Sequence, residues 1–186
     1  QMAEGWCQHF FPDSIQAFSA GLEAQGVNPI ARQVMEEAGV DISSQDSTVL
    51  SEYQGQSFDL VVATSMVDVA TMKGLFPALA AVPSLCYFHE NQFEYPNSEK
   101  RGNTIEPCMV NLYSALASTR ILFNSDYNRS SFFAGADRLM KRLPDLRPQP
   151  VSALLEDKSR VLPVPLLDEI IDYRHSDEVG CSASSR

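Results

Sequence analysis

The chain has 186 residues, 44% of them hydrophobic and 20% charged, with a net charge of −10. That is ordinary globular composition, enough for one core and part of another, and the acidic balance argues against non-specific nucleic-acid binding by the whole chain. No apolar run approaches the ~18 residues of a membrane span, and no basic segment leading into an apolar one opens the chain as a signal peptide would.

The four cysteines, Cys7, Cys86, Cys108 and Cys181, form no CxxC pair and lie near no His at metal spacing. Neither zinc nor a disulfide framework is indicated, and a reduced, cytoplasmic setting is the default. The charge is uneven. Up to Val61 there are nine acids and one base; from Val62 to Leu166 there are ten acids and eleven bases; the last twenty residues carry five acids and two bases. A step of this size near Val61 suggests two stretches of different history. It also leaves room for a specific RNA contact from the middle segment.

In chain order, Met2, Trp6 and Phe10 are spaced as one face of a helix. Cys7 on that helix reads as a small buried hydrophobe. Pro12-Asp13 ends the helix, and Ile15 to Ala20 reads as a short strand stopped by Gly21. Asn28 caps a second helix with Pro29 in its first turn. Ile30, Val34 and Ala38 mark its buried face, and Gly39 ends it. A helical turn is expected around Ser47 to Tyr53. Phe58 to Val62 is a valine-rich strand, ending in Ala63-Thr64-Ser65. Met66 to Leu79 is an amphipathic helix interrupted by Gly74 and Pro77.

Ser84 to Pro96, SLCYFHENQFEYP, is the informative stretch. An apolar run of the kind that forms a buried parallel strand turns abruptly into His89, Glu90, Asn91 and Gln92. In an open α/β sheet ligands bind beyond the carboxyl ends of the strands. A His, an acid and two amides there can supply acid/base chemistry and hydrogen bonds. A polar loop after a strand is also ordinary, and a single His is commonly a structural residue.

A polar loop, Asn97 to Thr104, follows, with Lys100-Arg101-Gly102 suggesting a lid or turn. Thr104 begins a helix with Glu106 and Pro107 in its first turn and a core stripe of Ile105, Met109, Leu112 and Leu116; Tyr113 reads as core or as a ring beside a substrate. Arg120 to Phe123 is another strand. It ends in Asn124-Ser125, and Ser125 caps a helix from Asp126 to Gly135. Arg138, Lys141, Arg142 and Arg147 are either a phosphate-contacting patch or a solvated face. Pro144, Pro148 and Pro150 make an extended connector. Val151 to Lys158 is a short helix and Arg160 to Pro165 an edge strand or linker. Residues 167–186 read as a polar tail.

Two resemblances emerge. QMAEGW followed by FSAGLEAQGVNPIARQVMEEAGVDISSQDS resembles the thioredoxin-coupled arsenate reductases, which share the low-molecular-weight tyrosine phosphatase fold. It covers about residues 1–62. In that family a Cys-x5-Arg oxyanion loop immediately precedes the position of Gln1, so the resemblance implies that the catalytic loop is absent. The family's second redox cysteine and its Asp-Pro loop also have no counterpart. Arsenate reductase or phosphatase activity is therefore not expected.

DLVVATSMVDVATMKGL, YFHENQFEYP, EPCMVNLYSALAS, ILFNSDYNR and VLPVPL, in that order, resemble the N-terminal half of the tRNA-queuosine α-mannosyltransferases, a GT-B glycosyltransferase family. This resemblance covers residues 58–166. It implies two Rossmann-like domains across a cleft, an acceptor-side domain here and a GDP-mannose domain beyond it, with mannose passed to queuosine in tRNA(Asp). By the family motif His89 and Glu90 are the catalytic candidates. Thr64, Ser65, Asn91, Gln92, Tyr95, Asn124 and Ser125 are the substrate-binding candidates, and no metal ligands are expected.

The expected fold is α/β: a Rossmann-like parallel sheet with helices on both faces, incomplete at the N-terminus. No cofactor is expected on this chain; GDP-mannose as donor and tRNA as acceptor are what the family implies. The donor domain has no counterpart in the sequence, so the chain is expected to be inactive alone. The competing readings are an arsenate reductase relative lacking its loop, and a non-enzymatic fusion fragment that self-associates through an exposed sheet edge.

Overall fold

A computed structural model describes residues 1–21, 23–24, 26–94, 105–142 and 151–165. Tyr95, the Asn97–Thr104 loop, Arg147, the three connector prolines and the 167–186 tail lie outside the described residues. The chain divides into two compact units, the first Gln1–Ser57 and the second starting at Phe58.

In the first unit, α1 is Met2–Phe10 and α2 is Pro29–Glu37. A 3-10 turn at Leu50–Tyr53 supplies the expected helical turn. The Asn28 side chain accepts from the Ile30 N–H, so α2 starts where the sequence places it. Its end is a Schellman motif: Gly39 has φ 79°, its N–H donates to Glu36 O, and the Val40 N–H donates to Met35 O. Only a residue free to adopt that conformation closes the helix this way.

The small core is Met35, Val40 and Ile42, with Trp6, Val27 and Ala31 packed against it. This corrects both expected helix faces. Ile30 is 71% exposed and Val34 47%, because the helix turns Ala31 and Met35 inward instead. On α1, Met2 and Phe10 are exposed; Gly5 is the buried residue, and a Cβ there would meet Ile42 Cγ2 at 2.5 Å. Cys7 is partly exposed, not buried. The expected strand at Ile15 to Ala20 does not form. Among the described residues the only ladder contact there is an isolated bridge from Gly21 to Val49. Without a partner strand the apolar run stays irregular.

The second unit is a parallel sheet of four strands in the order β1-β2-β3-β4. The strands are β1 Val61–Thr64, β2 Ser84–Phe88, β3 Arg120–Phe123 and β4 Ser159–Val161. Between them run α3 Val69–Leu75, α4 Pro77–Ala80, α5 Ile105–Ala117, α6 Asp126–Met140 and α7 Val151–Glu156. This is the Rossmann-like α/β layer expected. The register aligns Ala63 with Cys86 and Cys86 with Ile121. Those positions, with Phe88 and Phe123, face one core shared with Val69, Leu112, Phe132 and Leu155. A sheet whose strands follow one another in sequence order returns each right-handed crossover to the same face. Among the described residues α3, α5, α6 and α7 accordingly line that one face rather than both faces as expected, while Val62, on the other, is 64% exposed.

Several boundaries move. β1 begins at Val61, three residues later than the apolar run, because pairing with Ser84–Tyr87 sets the register and leaves Leu60 exposed. The Met66–Leu79 helix starts at Val69, where Asp68 accepts from the Thr71 N–H, and is split at Phe76-Pro77. On α5, Ile105 and Leu116 are exposed, and so is Tyr113 at 50%. The face turned inward carries Asn111, Leu112, Ser114 and Ala115. α6 does not stop at Gly135 but runs to Met140. α7 ends at Glu156, before the expected Lys158.

Candidate functional site at the carboxyl rim of the sheet

The parallel register brings the ends of β1, β2 and β3 together. Thr64 is the last residue of β1 and is exposed; Ser65 follows it and is 3% exposed. The Ser65 N–H donates to Tyr87 O at 3.0 Å, and the Asn124 N–H donates to Phe88 O at 3.1 Å. Ser65, His89 and Asn124 thus stand side by side on the rim where this class of sheet binds ligands. Ser65 Oγ lies 3.3 Å from His89 Nδ1, and Asn124 Nδ2 donates to His89 O at 2.7 Å. The His89 side chain is exposed, and its Nε2 has no partner among the described residues.

Residues 89–94 are held by buried amides. Asn91 Oδ1 accepts from the Phe93 N–H at 3.0 Å and the Glu94 N–H at 3.2 Å, an Asx turn. Its Nδ2 donates to Asn128 Oδ1 at 2.7 Å and to Ser131 Oγ at 3.0 Å. Asn128 in turn donates to Phe88 O and to Asn124 Oδ1, both at 2.8 Å. Asn111, on α5, accepts from the Gln92 N–H at 2.9 Å and donates to Ser65 O at 3.0 Å. A buried amide is costly unless both ends are bonded; these three are bonded at both ends, and the turn is rigid as a result.

One face of α6 grips the same turn at successive helical spacings. Asn128 and Ser131 hold Asn91, Gly135 lies under Phe93, and Arg138 forms an ion pair with Glu94 at 2.7 Å. Phe93 also meets Phe132 edge-on, with ring centroids 5.3 Å apart. The Arg138 pair is largely exposed and contributes little. It takes one base out of the cluster read from the sequence; Lys141 and Arg142 remain exposed at the end of α6.

The remaining candidates divide by role. Glu90 is partly buried, 3.5 Å from Gln92 Nε2. Ser125 Oγ accepts from the Asn128 N–H at 3.1 Å as the cap of α6 and donates to Asn124 Oδ1 at 3.3 Å. The Asn91 side chain is spent on the turn and offers nothing to a ligand. Sequence reasoning overlooked Asn111, Asn128 and Gly135 as parts of the site. Their signal was present as polar or small residues on helix faces that are otherwise apolar.

Neither nearby thiol is a nucleophile candidate. Burial pushes the Cys86 thiol up to about 12, with a hydrogen bond to Ser118 opposing, and burial also raises Cys108. Among the described residues no three His, Cys, Asp or Glu side chains cluster as a metal site, and no helix is long and apolar enough to cross a membrane.

Comparison with known proteins agrees with both resemblances. The tRNA-queuosine alpha-mannosyltransferase of Drosophila melanogaster is 33% identical over 110 residues, 59% of this chain and 29% of that protein. Arsenate reductases match a separate segment. That of Halalkalibacterium halodurans is 48% identical over 62 residues and that of Bacillus subtilis 45% over the same length, in each case 33% of this chain and 45% of the relative. The chain thus spans less than half the length of these relatives. No solved structure matches. A family profile described as tRNA-queuosine alpha-mannosyltransferase N-terminal matches residues 12–166, so most of the chain, including the whole described rim, belongs to that family.

Proposed function

We propose that residues 58–166 form the acceptor-side layer of a glycosyltransferase that moves mannose from GDP-mannose to queuosine in tRNA(Asp). They follow an arsenate-reductase-like segment, 1–62, and precede a tail, 167–186. The observation that carries this reading is the Ser65–His89 pair on the rim where three strands end. In the transfer, a queuosine hydroxyl attacks the anomeric carbon of mannose and gives up its proton to solvent, the bond to the GDP phosphate breaks, and GDP leaves with the electron pair. His89 Nε2, without a hydrogen-bond partner among the described residues, hydrogen-bonds the sugar or the attacking hydroxyl, steadying the charge that develops there. Glu90 and Gln92 orient that contact, Thr64 and Asn124 line the acceptor side, and Ser125 acts through Asn124. Asn91 shapes the turn.

Two domains are needed to hold both substrates, so the 186-residue chain assayed by itself is expected to bind queuosine-containing tRNA(Asp) without turnover. The decisive experiment uses a full-length family member carrying this 58–166 segment. His89→Ala should abolish mannosyl transfer while the melting temperature stays within about 2 °C, the response of a surface substitution. Retained turnover would remove His89 from the reaction.

The arsenate reductase reading rests on the likeness of one 62-residue segment. Cys7 is followed six positions later by Asp13, Cys86 by Gln92 and Cys108 by Ser114, so none of the three begins a Cys-x5-Arg loop.

A further inference from the structure

We propose that Asn111 is a positioning residue that sets the Ser65–His89 contact from the helix behind it, a role that rests on the function given to His89 above. Asn111 is 2% exposed and sits on α5 beside Leu112 and Ala115, where an apolar side chain would serve packing alone. Both of its polar ends leave the helix. Nδ2 reaches Ser65 O at the end of β1, and Oδ1 receives the Gln92 N–H from the turn that opens at His89. Cys108, one turn earlier, donates to Gln92 O at 3.4 Å, so α5 holds both sides of that residue.

Ser65 is thereby fixed on both sides of its Cα: its N–H bonds Tyr87 O and its C=O bonds Asn111. That aims the hydroxyl at His89 Nδ1, where it donates in one ring tautomer and accepts in the other, so losing the contact changes the weight of the two. The other nitrogen, Nε2, presents the complementary role, donor or acceptor, to whatever occupies the rim. Ser114, on the next turn of α5, is an internal comparison. It is fully buried and bridges the Val69 N–H and Val67 O, and among the described residues its side chain makes no hydrogen bond to Ser65, His89 or the 89–94 turn.

The test is histidine 15N NMR on the 186-residue chain, with the His89 signals assigned from their loss in His89→Gln. Ser65→Ala and Asn111→Ala should each shift the His89 tautomer ratio in the same direction, by at most about fivefold, the equilibrium factor of one net hydrogen bond. Ser114→Ala should leave the ratio unchanged at comparable loss of stability. Should Asn111→Ala fail to fold, Asn111→Ser keeps a small polar group on α5 but is too short to donate to Ser65 O, and the same shift is expected. An unchanged ratio in the folded Asn111 variants, or an equal change in Ser114→Ala, overturns the proposal. The signal is read without tRNA or sugar donor. A tautomer that responds while His89→Ala leaves transfer intact would refute the mannosyltransferase role of His89 and leave the positioning role standing.

Discussion

Gly135→Ala should destabilise the second unit, although the same change in most helices stabilises. Gly135 lies inside α6, where alanine is favoured over glycine by at most about 1 kcal/mol. A Cβ at this position would lie 2.5 Å from Phe93 Cγ and closer still to Phe93 Cβ. Those atoms sit next to the Phe93 backbone, so no rotamer change relieves the contact. The turn itself must move by about 1 Å to restore ordinary van der Waals distance, an overpacking cost of about 1–3 kcal/mol. A shift of that size also breaks one of the Asn91 bonds to Asn128 or Ser131, about 1 kcal/mol more. The net expectation is a loss of about 1–3 kcal/mol. Urea unfolding followed by far-UV circular dichroism measures it; the single tryptophan, Trp6, lies in the first unit and is not the probe. Gly74→Ala is the control. Gly74 is also helical, on α3, but a Cβ added there would meet nothing within 4 Å, so alanine should stabilise by about 0.5–1 kcal/mol. If Gly135→Ala stabilises as much as Gly74→Ala, Phe93 does not rest on α6 and the account of the rigid turn is wrong.

Other expectations follow from single groups. Ser125→Ala removes the cap of α6 and should cost about 1 kcal/mol in the same unfolding assay; no change would mean that the cap is not formed. The Cys86 thiol, raised by burial from 9.0 to about 12, keeps its proton in the folded chain when the unfolded chain has lost it. Stability from this group is therefore full below pH 9 and falls between pH 9 and 12, by at most about 1.4 kcal/mol per pH unit. Comparing Cys86→Ala with the parent chain across that range isolates the slope, and identical slopes would refute the burial. Native-state alkylation at about pH 8.5 should spare Cys86 and, among the described cysteines, modify the partly exposed Cys7 first.

The helix starts were legible because they are local. Asn28 and Ser125 each accept a backbone N–H within three residues, and Gly39 ends α2 through its own φ, whereas the Asp68 cap went unread. The faces were legible only in part. Ile30, Val34, Ile105 and Leu116 obey helical spacing yet are exposed, because spacing fixes which residues share a side but not which side meets the core. The Ile15–Ala20 run failed as a strand because a strand needs a partner, and among the described residues none pairs with it beyond the Gly21–Val49 bridge.

By itself the sequence determined the parallel α/β class, the order of elements from Val61 to Val161, and the polar turn at His89 as the chemically rich point of the chain. Each of these rests on short-range pattern: an apolar run, a cap, a change from apolar to polar at a strand end. Only the tertiary structure decided that Ser65, His89 and Asn124 are neighbours, since residues 24 and 35 positions apart in sequence meet through the register of their strands. It also separated the amides. Asn91, Asn111 and Asn128 became scaffolding, and the His89 ring stayed exposed, because a buried polar side chain must bond within the protein whereas one at the rim is left free to meet a ligand.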